Sequence, residues 1–181
     1  MAQFEGFVRI PHGSYDEFRN ATLGNGYDAD FAYQNQCWDF VAELYYQYGL
    51  TLYTGPNISA YECWTYSKDK NAKSPFIAVE GISNIKRGDV VVLNKGGWSS
   101  NGHIALADQD YNGTNYLNLL GQNQGQGSSA PSNIANVNIS NFLGIFRNTD
   151  WQSSPPVPTK KSKKRDFPWS VAWRNWSGFK R

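Results

Sequence analysis

Apolar side chains recur with a helical period early in the chain and with a strand period later on. Between Cys37 and Tyr48 they fall at i, i+3, i+4, i+7, i+8 and i+11, which forms one stripe along an α-helix. Gly49 follows and can adopt the left-handed conformation with which many helices end. The pattern predicts a helix that begins near Cys37 and packs one face against a core.

Two S-x-x-E patterns, beginning at Ser14 and Ser59, predict capping boxes and short helices near 15–22 and 60–70. From Phe76 onward the chain contains short β-branched or aromatic runs separated by turn residues, namely FIAVE, DVVVL, HIALA, YLNLL and FLGIF. Helices followed by strands indicate an α+β fold. We expect N-terminal helices packed on a mainly antiparallel sheet of five or six strands.

The charge of the 181-residue chain is distributed unevenly. From Gln152 to the end there are eight Lys and Arg against one acid, and the remainder has nine against fourteen. This shift predicts a catalytic or binding domain over 1–151, a Ser/Pro-rich polybasic linker over 152–166 and an aromatic-basic tail over 167–181. The acidic body argues against a nucleic-acid partner. The tail is either a solvated segment or a contact for anionic wall or membrane polymers.

The first residues contain no basic segment followed by an apolar run, and no stretch is long enough to span a bilayer. We therefore expect no secretory signal and no transmembrane segment. The two cysteines, Cys37 and Cys63, are then expected to remain free thiols, as is usual in a reducing cytosol.

Cys37 is the candidate nucleophile, because it lies in the first turn of the predicted helix. Unpaired N–H groups and the helix dipole favour a thiolate there. The alternative is a small buried side chain that only packs. The chain has two histidines, of which His12 lies in a turn and His103 begins a strand after a glycine-rich loop. His103 is the better placed general base.

A third polar residue is expected to orient the imidazole of His103. The strand YLNLL is predicted to pair antiparallel with the histidine strand, and it ends in GQNQGQG. Asn123 is the candidate at that end, while Asn118, Gln122 and Gln124 remain open as competitors.

The segment DADFAYQNQCWD has the spacing of an EF-hand-type loop, in which positions one, three, five, seven and twelve supply oxygen ligands. It departs from that loop with Tyr33 at position six, where glycine is expected, and with Asp instead of Glu at twelve. The alternative is a group of solvated acids near a helix start. The candidate metal ligands are Asp28, Asp30, Ala32, Gln34 and Asp39.

QCWDF opening a helix, GHIALA opening a strand and GQN ending the next strand together resemble a CHAP domain, over roughly residues 10–150. These are cysteine- and histidine-dependent amidohydrolases/peptidases of phage endolysins and bacterial autolysins. The resemblance implies a papain-like fold, Cys37 as nucleophile and His103 as base. It also implies that Asn123 is the orienting residue and that Gln36, with the Cys37 N–H, forms the oxyanion site. Gly121 departs from the family pattern, since a glutamate often stands there, so either Asn123 alone orients His103 or the third member lies elsewhere.

The resemblance further implies a calcium site at the acidic loop and no organic cofactor. The implied function is a phage peptidoglycan hydrolase that acts on Gram-positive walls and waits in the host cytoplasm until the membrane is breached. A D-alanyl endopeptidase is favoured over an N-acetylmuramoyl-L-alanine amidase. Two other classes remain as rivals, a non-catalytic wall-binding module and a cysteine transferase on the same fold.

Overall fold

A six-stranded antiparallel sheet with helices against one face forms the protein. The computed structural model describes residues 11–96, 99–127 and 129–152. The strands lie in the order β1-β6-β2-β3-β4-β5, and every neighbouring pair is antiparallel. Their bounds are β1 Phe76–Val79, β2 Val90–Leu93, β3 His103–Ala107, β4 Tyr116–Gly121, β5 Asn133–Asn138 and β6 Phe142–Asn148. The predicted α+β class with a mainly antiparallel sheet of five or six strands is confirmed, and the number of strands is six.

Five α-helices belong to the described chain, with bounds α1 Tyr15–Thr22, α2 Cys37–Gln47, α3 Glu62–Thr65, α4 Lys68–Asn71 and α5 Thr149–Gln152. The apolar stripe predicted from Cys37 is the buried face of α2, where Phe40, Val41 and Leu44 have no exposed surface. Ser14 Oγ accepts the Glu17 N–H at the start of α1, as the capping pattern predicts.

The sheet is covered on both faces, which explains why its central strands read as unbroken apolar runs. Val92 and Ile104 belong to a core shared with α1 and α2. Val91 and Ala105, which point to the opposite face, belong to a second core formed with β4, β5 and β6. All residues of β2 and β3 are buried. This double burial fixes β3, and with it the position of His103.

Two predicted elements differ from the structure. The helix expected over 60–70 is divided into α3 and α4, because the chain leaves the helical conformation at Ser67. Strand β5 was absent from the five predicted runs, since its sequence NIANVN is rich in asparagine. It pairs with β4 along its whole length, from Gly121 opposite Asn133 to Tyr116 opposite Asn138.

The last described element returns to the first. Trp151 is buried against Tyr15 and Phe18, and its indole N–H donates to the His12 carbonyl oxygen at 2.8 Å. The predicted linker and tail lie outside the described residues, except for the first position of the linker. Among the helices that are described, none has the length and apolar character that a membrane crossing requires.

Candidate active site

Cys37 opens α2 at the edge of a cavity of about 760 Å³. The Gln36 N–H donates to the Asp39 carboxylate at 2.8 Å, which holds the chain as it enters the helix. The Cys37 residue is partly exposed, but its sulfur atom is withdrawn from water. The cavity lies between the segment that leads into the start of α2 and residues 57–60, and two further loop residues complete it. The lining residues are Asp30, Ala32, Tyr33, Gln34, Gln36, Cys37, Trp38, Asp39, Asn57, Ile58, Ala60, Asn101 and Ser129.

Burial, and not the helix terminus, decides the charge state of the Cys37 thiol. Backbone N–H groups of Cys37, Trp38 and Ile104 point at the sulfur and lower its pKa, as the helix position predicts. Loss of water around the sulfur outweighs them and raises the pKa to about 11. The thiol is therefore protonated at neutral pH. The Ile104 amide also brings the sulfur next to β3, one residue beyond His103.

His103 is held at the start of β3 by a glycine that no other residue can replace without strain. Gly102 has a φ of 70°, and a Cβ there would lie 2.4 Å from the Leu93 carbonyl oxygen and 2.8 Å from Tyr61 Cβ. The His103 side chain is 2% exposed. Burial lowers its pKa to about 4, against a smaller opposing effect from the hydrogen bond to Gln124. The imidazole is therefore neutral at neutral pH.

The Gln124 side chain hydrogen-bonds the imidazole, with 2.8 Å between Gln124 Oε1 and His103 Nε2. The amide nitrogen of Gln124 donates to two backbone carbonyls, those of Leu119 at 2.7 Å and Asn133 at 3.0 Å. Because both amide hydrogens are used, the oxygen must face the imidazole and accept from Nε2–H. This fixes the tautomer in which the lone pair is on Nδ1.

Gly121 leaves the space that Gln124 occupies. A Cβ at this position would lie 3.2 Å from Gln124 Oε1 and 2.8 Å from Ala105 Cβ. A larger side chain here would displace the Gln124 amide from His103. Gly121, where the resemblance predicts a glutamate, therefore leaves room for the Gln124 amide.

Asn123 lies between the oxyanion candidate and a neighbouring loop. Its Nδ2 donates to Gln36 Oε1 at 2.8 Å, and its Oδ1 accepts the Ser129 N–H at 3.0 Å. Gln36 Nε2 in turn donates to the Tyr33 carbonyl oxygen. Asn123 therefore fixes the Gln36 amide beside Cys37, and its predicted role toward His103 stays a prediction.

The acidic loop brings three carboxylates together. Oxygens of Asp28, Asp30 and Asp39 lie within 4.8 Å of one another. Asp39 is buried and accepts the N–H groups of Ala29 and Gln36, whereas the other two acids are exposed. Burial first, and then the charges of Asp30 and Asp28, raise the pKa of Asp39 to about 6. A set of clustered hard oxygen donors suits a divalent cation such as calcium.

Trp38 lines the cavity, whereas Trp64 packs on Phe146 of the sheet. Cys63 is a free thiol with no exposed surface, as predicted. Ile58 lies on the cavity rim and was not among the site residues predicted from the sequence. Its exposure and its backbone conformation leave no signal in the local sequence.

Known proteins resemble this chain in sequence and in fold. The CHAP domain family model matches residues 25–123. A D-alanyl-L-alanine endopeptidase of Streptococcus phage B30 is 30% identical over 147 residues, which are 80% of this chain and 32% of that protein. The chain thus spans about a third of the length of that relative. A crystal structure of the wild-type endolysin LysIME-EF1 aligns with a TM-score of 0.56 at 22% identity, covering 74% of this chain and 63% of that one.

The chain belongs to the CHAP domain family. The family predicted from the QC helix and the GH strand is therefore confirmed. The likeness to the endolysin structure extends the agreement to the fold.

The buried imidazole makes folding stability depend on pH. Unfolded His103 takes up a proton as the pH falls through its ordinary pKa of 6.5, whereas the folded protein resists protonation until about 4. The unfolded state binds more protons in that window, so the free energy of unfolding falls as the pH decreases. We expect the titration of His103 to lower the free energy of unfolding by about 2.5 kcal/mol between about pH 7.5 and about pH 4.5.

Urea unfolding at both pH values, on the wild type and on His103→Gln, measures this difference. The variant lacks the titrating group, so its stability should fall less on acidification, by the amount given above. Equal pH dependence in the two proteins would show that His103 is not held neutral by the fold.

Proposed function

We propose that the protein is a peptidoglycan hydrolase of the phage endolysin type that cleaves an amide bond in the stem peptide or cross-bridge. The observation that carries this proposal is that the Cys37 thiol lines the cavity while the Ile104 N–H, one residue beyond His103, points at its sulfur. The phage D-alanyl-L-alanine endopeptidase relative supports the cell wall as the target and favours the D-alanyl endopeptidase reaction.

Both partners of the proposed reaction start uncharged, because burial raises the pKa of Cys37 and lowers that of His103. A resting thiolate–imidazolium pair is therefore disfavoured. The thiol proton passes to His103 Nδ1 as the sulfur attacks the amide carbonyl. His103 then protonates the departing amine, a thioacyl enzyme forms, and water, activated by the same imidazole, releases the acid and restores the thiol.

Two amide side chains support this chemistry. Gln124 accepts from Nε2–H and thereby keeps Nδ1 unprotonated, the form that can take up the thiol proton. Gln36 has a second Nε2 hydrogen beyond the one given to Tyr33, and with the Cys37 N–H it stabilises the oxyanion of the tetrahedral intermediate. Asn123 keeps the Gln36 oxygen turned away from that position.

We also propose that calcium binds the acidic loop. Asp28, Asp30 and Asp39 supply carboxylates, and the carbonyl oxygens of Ala32 and Gln34 complete the set at the spacing of an EF-hand-type loop. The ion neutralises three converging charges and holds the segment that leads into Cys37. The convergence of three carboxylates within 4.8 Å supports this assignment, because a cation would relieve their mutual repulsion.

Calcium should stabilise the folded protein in a manner that depends on Asp30. At a hundred times its dissociation constant, calcium should raise the free energy of unfolding by about 2.7 kcal/mol. Thermal unfolding in calcium and in chelator measures the shift. Asp30→Ala should remove the shift in melting temperature. Asp69 is an exposed acid on α4 outside the loop, and Asp69→Ala should retain the shift. An equal melting temperature with and without calcium in the wild type would refute the site.

The hydrolase proposal is tested by mass spectrometry of fragments released from purified Gram-positive cell walls. The new amino-terminal ends identify the scissile bond. A new amino terminus on the alanine of the cross-link supports the endopeptidase. A new amino terminus on the first residue of the stem peptide supports the amidase. Products that carry an added amine point to a transferase, and walls that bind the protein without releasing fragments point to a binding module. The proposed place of action is the wall, reached from the host cytoplasm after the membrane opens.

A further inference from the structure

One rim of the Cys37 cavity carries an isoleucine in a conformation that β-branched residues rarely adopt. Ile58 has a φ of 54°, is 78% exposed and lines the cavity. The left-handed region brings the Cβ of an L-residue close to its own backbone, and for a β-branched residue it is a genuine outlier. An exposed side chain returns little stability for this strain, so its position needs another explanation.

A buried carboxylate imposes this conformation. Glu62, which is 3% exposed, accepts the N–H groups of Asn57 and Ser59, each at 3.1 Å, and Asn57 Nδ2 at 2.8 Å. Because one carboxylate holds both neighbours of Ile58, the residue between them is forced outward. Gly55 allows the close approach, since a Cβ there would lie 2.8 Å from Glu62 Cδ. Several contacts thus hold the loop at Asn57–Ser59 in one conformation, and a strained residue persists only where its surroundings hold it in this way.

The same backbone strain recurs around the cavity. Non-glycine residues with positive φ in the described part of the chain are Phe31, Tyr33, Gln34, Ile58, Asn123 and Ser129. Four of these six line the cavity, namely Tyr33, Gln34, Ile58 and Ser129. Strained residues cluster where a protein positions groups for a ligand. Ile58 is the aliphatic member of the four, and it offers a ligand only methyl and methylene groups.

We propose that Ile58 is a specificity-determining residue that contacts the methyl side chain of an alanine flanking the scissile amide. This inference rests on the proposed cleavage of cell-wall peptides. Such peptides combine alanine with acidic and diamino residues, and an aliphatic rim gains contact energy from the methyl group but none from a charged side chain. Glu62 is the positioning residue, because it fixes the loop and does not line the cavity.

The test compares peptides in which each alanine flanking the cleaved bond is replaced by glycine. The wild type should prefer alanine at one of the two positions, by about tenfold in kcat/KM, which is the discrimination one buried methyl group provides. Ile58→Gly should reduce kcat/KM about tenfold on the alanine peptide and leave the glycine peptide unchanged, so the preference disappears. Its melting temperature should not fall, because glycine adopts a positive φ without strain.

Two further variants separate recognition from folding. Ile58→Asn also tolerates the left-handed backbone but lacks the aliphatic surface, so it should lose the preference as well. Ile77→Asn is the control: it changes an isoleucine that is 46% exposed on the edge strand β1, and this variant should keep the preference for alanine. An unaltered preference in Ile58→Gly, or an equal loss on both peptides with a lower melting temperature, overturns the inference. A wild type that cleaves neither peptides nor cell walls overturns the proposed function itself.

Discussion

Replacing Cys37 by alanine should abolish the release of new amino-terminal ends from cell walls. The sulfur is the group that forms the thioacyl intermediate, and nothing else in the first turn of α2 can replace it as a nucleophile. We expect the rate to fall by at least about 10³-fold, the range seen when a catalytic nucleophile is removed. Mass spectrometry of wall digests at equal protein concentration measures the loss.

Cys63→Ala is the matched control, because it removes the other thiol of the chain. Cys63 has no exposed surface and packs in the core beside α2, so the variant should lose some stability. It should retain the turnover rate of the wild type at a temperature where it is folded. Wall hydrolysis that persists in Cys37→Ala would leave the cysteine as a packing residue and remove the basis of the proposed mechanism.

Replacing Gln124 by leucine should reduce kcat by about 10²-fold or more. Leucine cannot accept from His103 Nε2–H, so the imidazole is free to adopt the wrong tautomer. The carbonyls of Leu119 and Asn133 would also lose their donor, and the variant should be less stable. Steady-state kinetics on a soluble peptide, below the melting temperature of the variant, separates the two effects.

Gln124→Glu distinguishes positioning of His103 from a structural role. A carboxylate accepts the same hydrogen bond, and its charge favours the imidazolium, so the pKa of His103 should rise. The acidic limb of the kcat/KM profile should then move to higher pH, with more activity retained than in Gln124→Leu. Asn123→Ala should not move that limb if Asn123 acts through Gln36. A limb that moves in Asn123→Ala and not in Gln124→Glu would return the orienting role to Asn123.

The cysteine helix and five of the six strands could be predicted from sequence, because their signals are local. The stripe from Cys37 to Tyr48 has the period of a helix, and the runs beginning at Phe76 consist of residues that favour strands. Strand β5 gave no such signal. Its asparagines disfavour a strand, and the ladder with β4 supplies what local preference does not.

The residue that contacts the imidazole could be narrowed to a few candidates from sequence but not selected. Asn123 and Gln124 are adjacent, and a regular strand would point them to opposite faces. The chain turns at Asn123, where φ is 54°, so the alternation that holds through β4 no longer applies. The choice also depends on the gap at Gly121, which only the packed structure reveals.

The charge state of Cys37 shows a similar limit. Its position at a helix start correctly predicts N–H groups that favour a thiolate. The depth of the sulfur against β3 depends on how α2 packs on the sheet, and that burial reverses the direction of the pKa shift. Sequence specifies the local electrostatics of a site more readily than its access to water.

The hydrogen bond from Trp151 to His12 closes the domain, and this has a consequence for modular engineering. Residues near the two ends of the described fold are in contact through this bond, so a binding module attached at either end of that fold would start from the same side of the protein. A circular permutant that joins these ends through a short peptide should fold. A minimal catalytic unit must retain Trp151, because its indole fills the core between Tyr15 and Phe18.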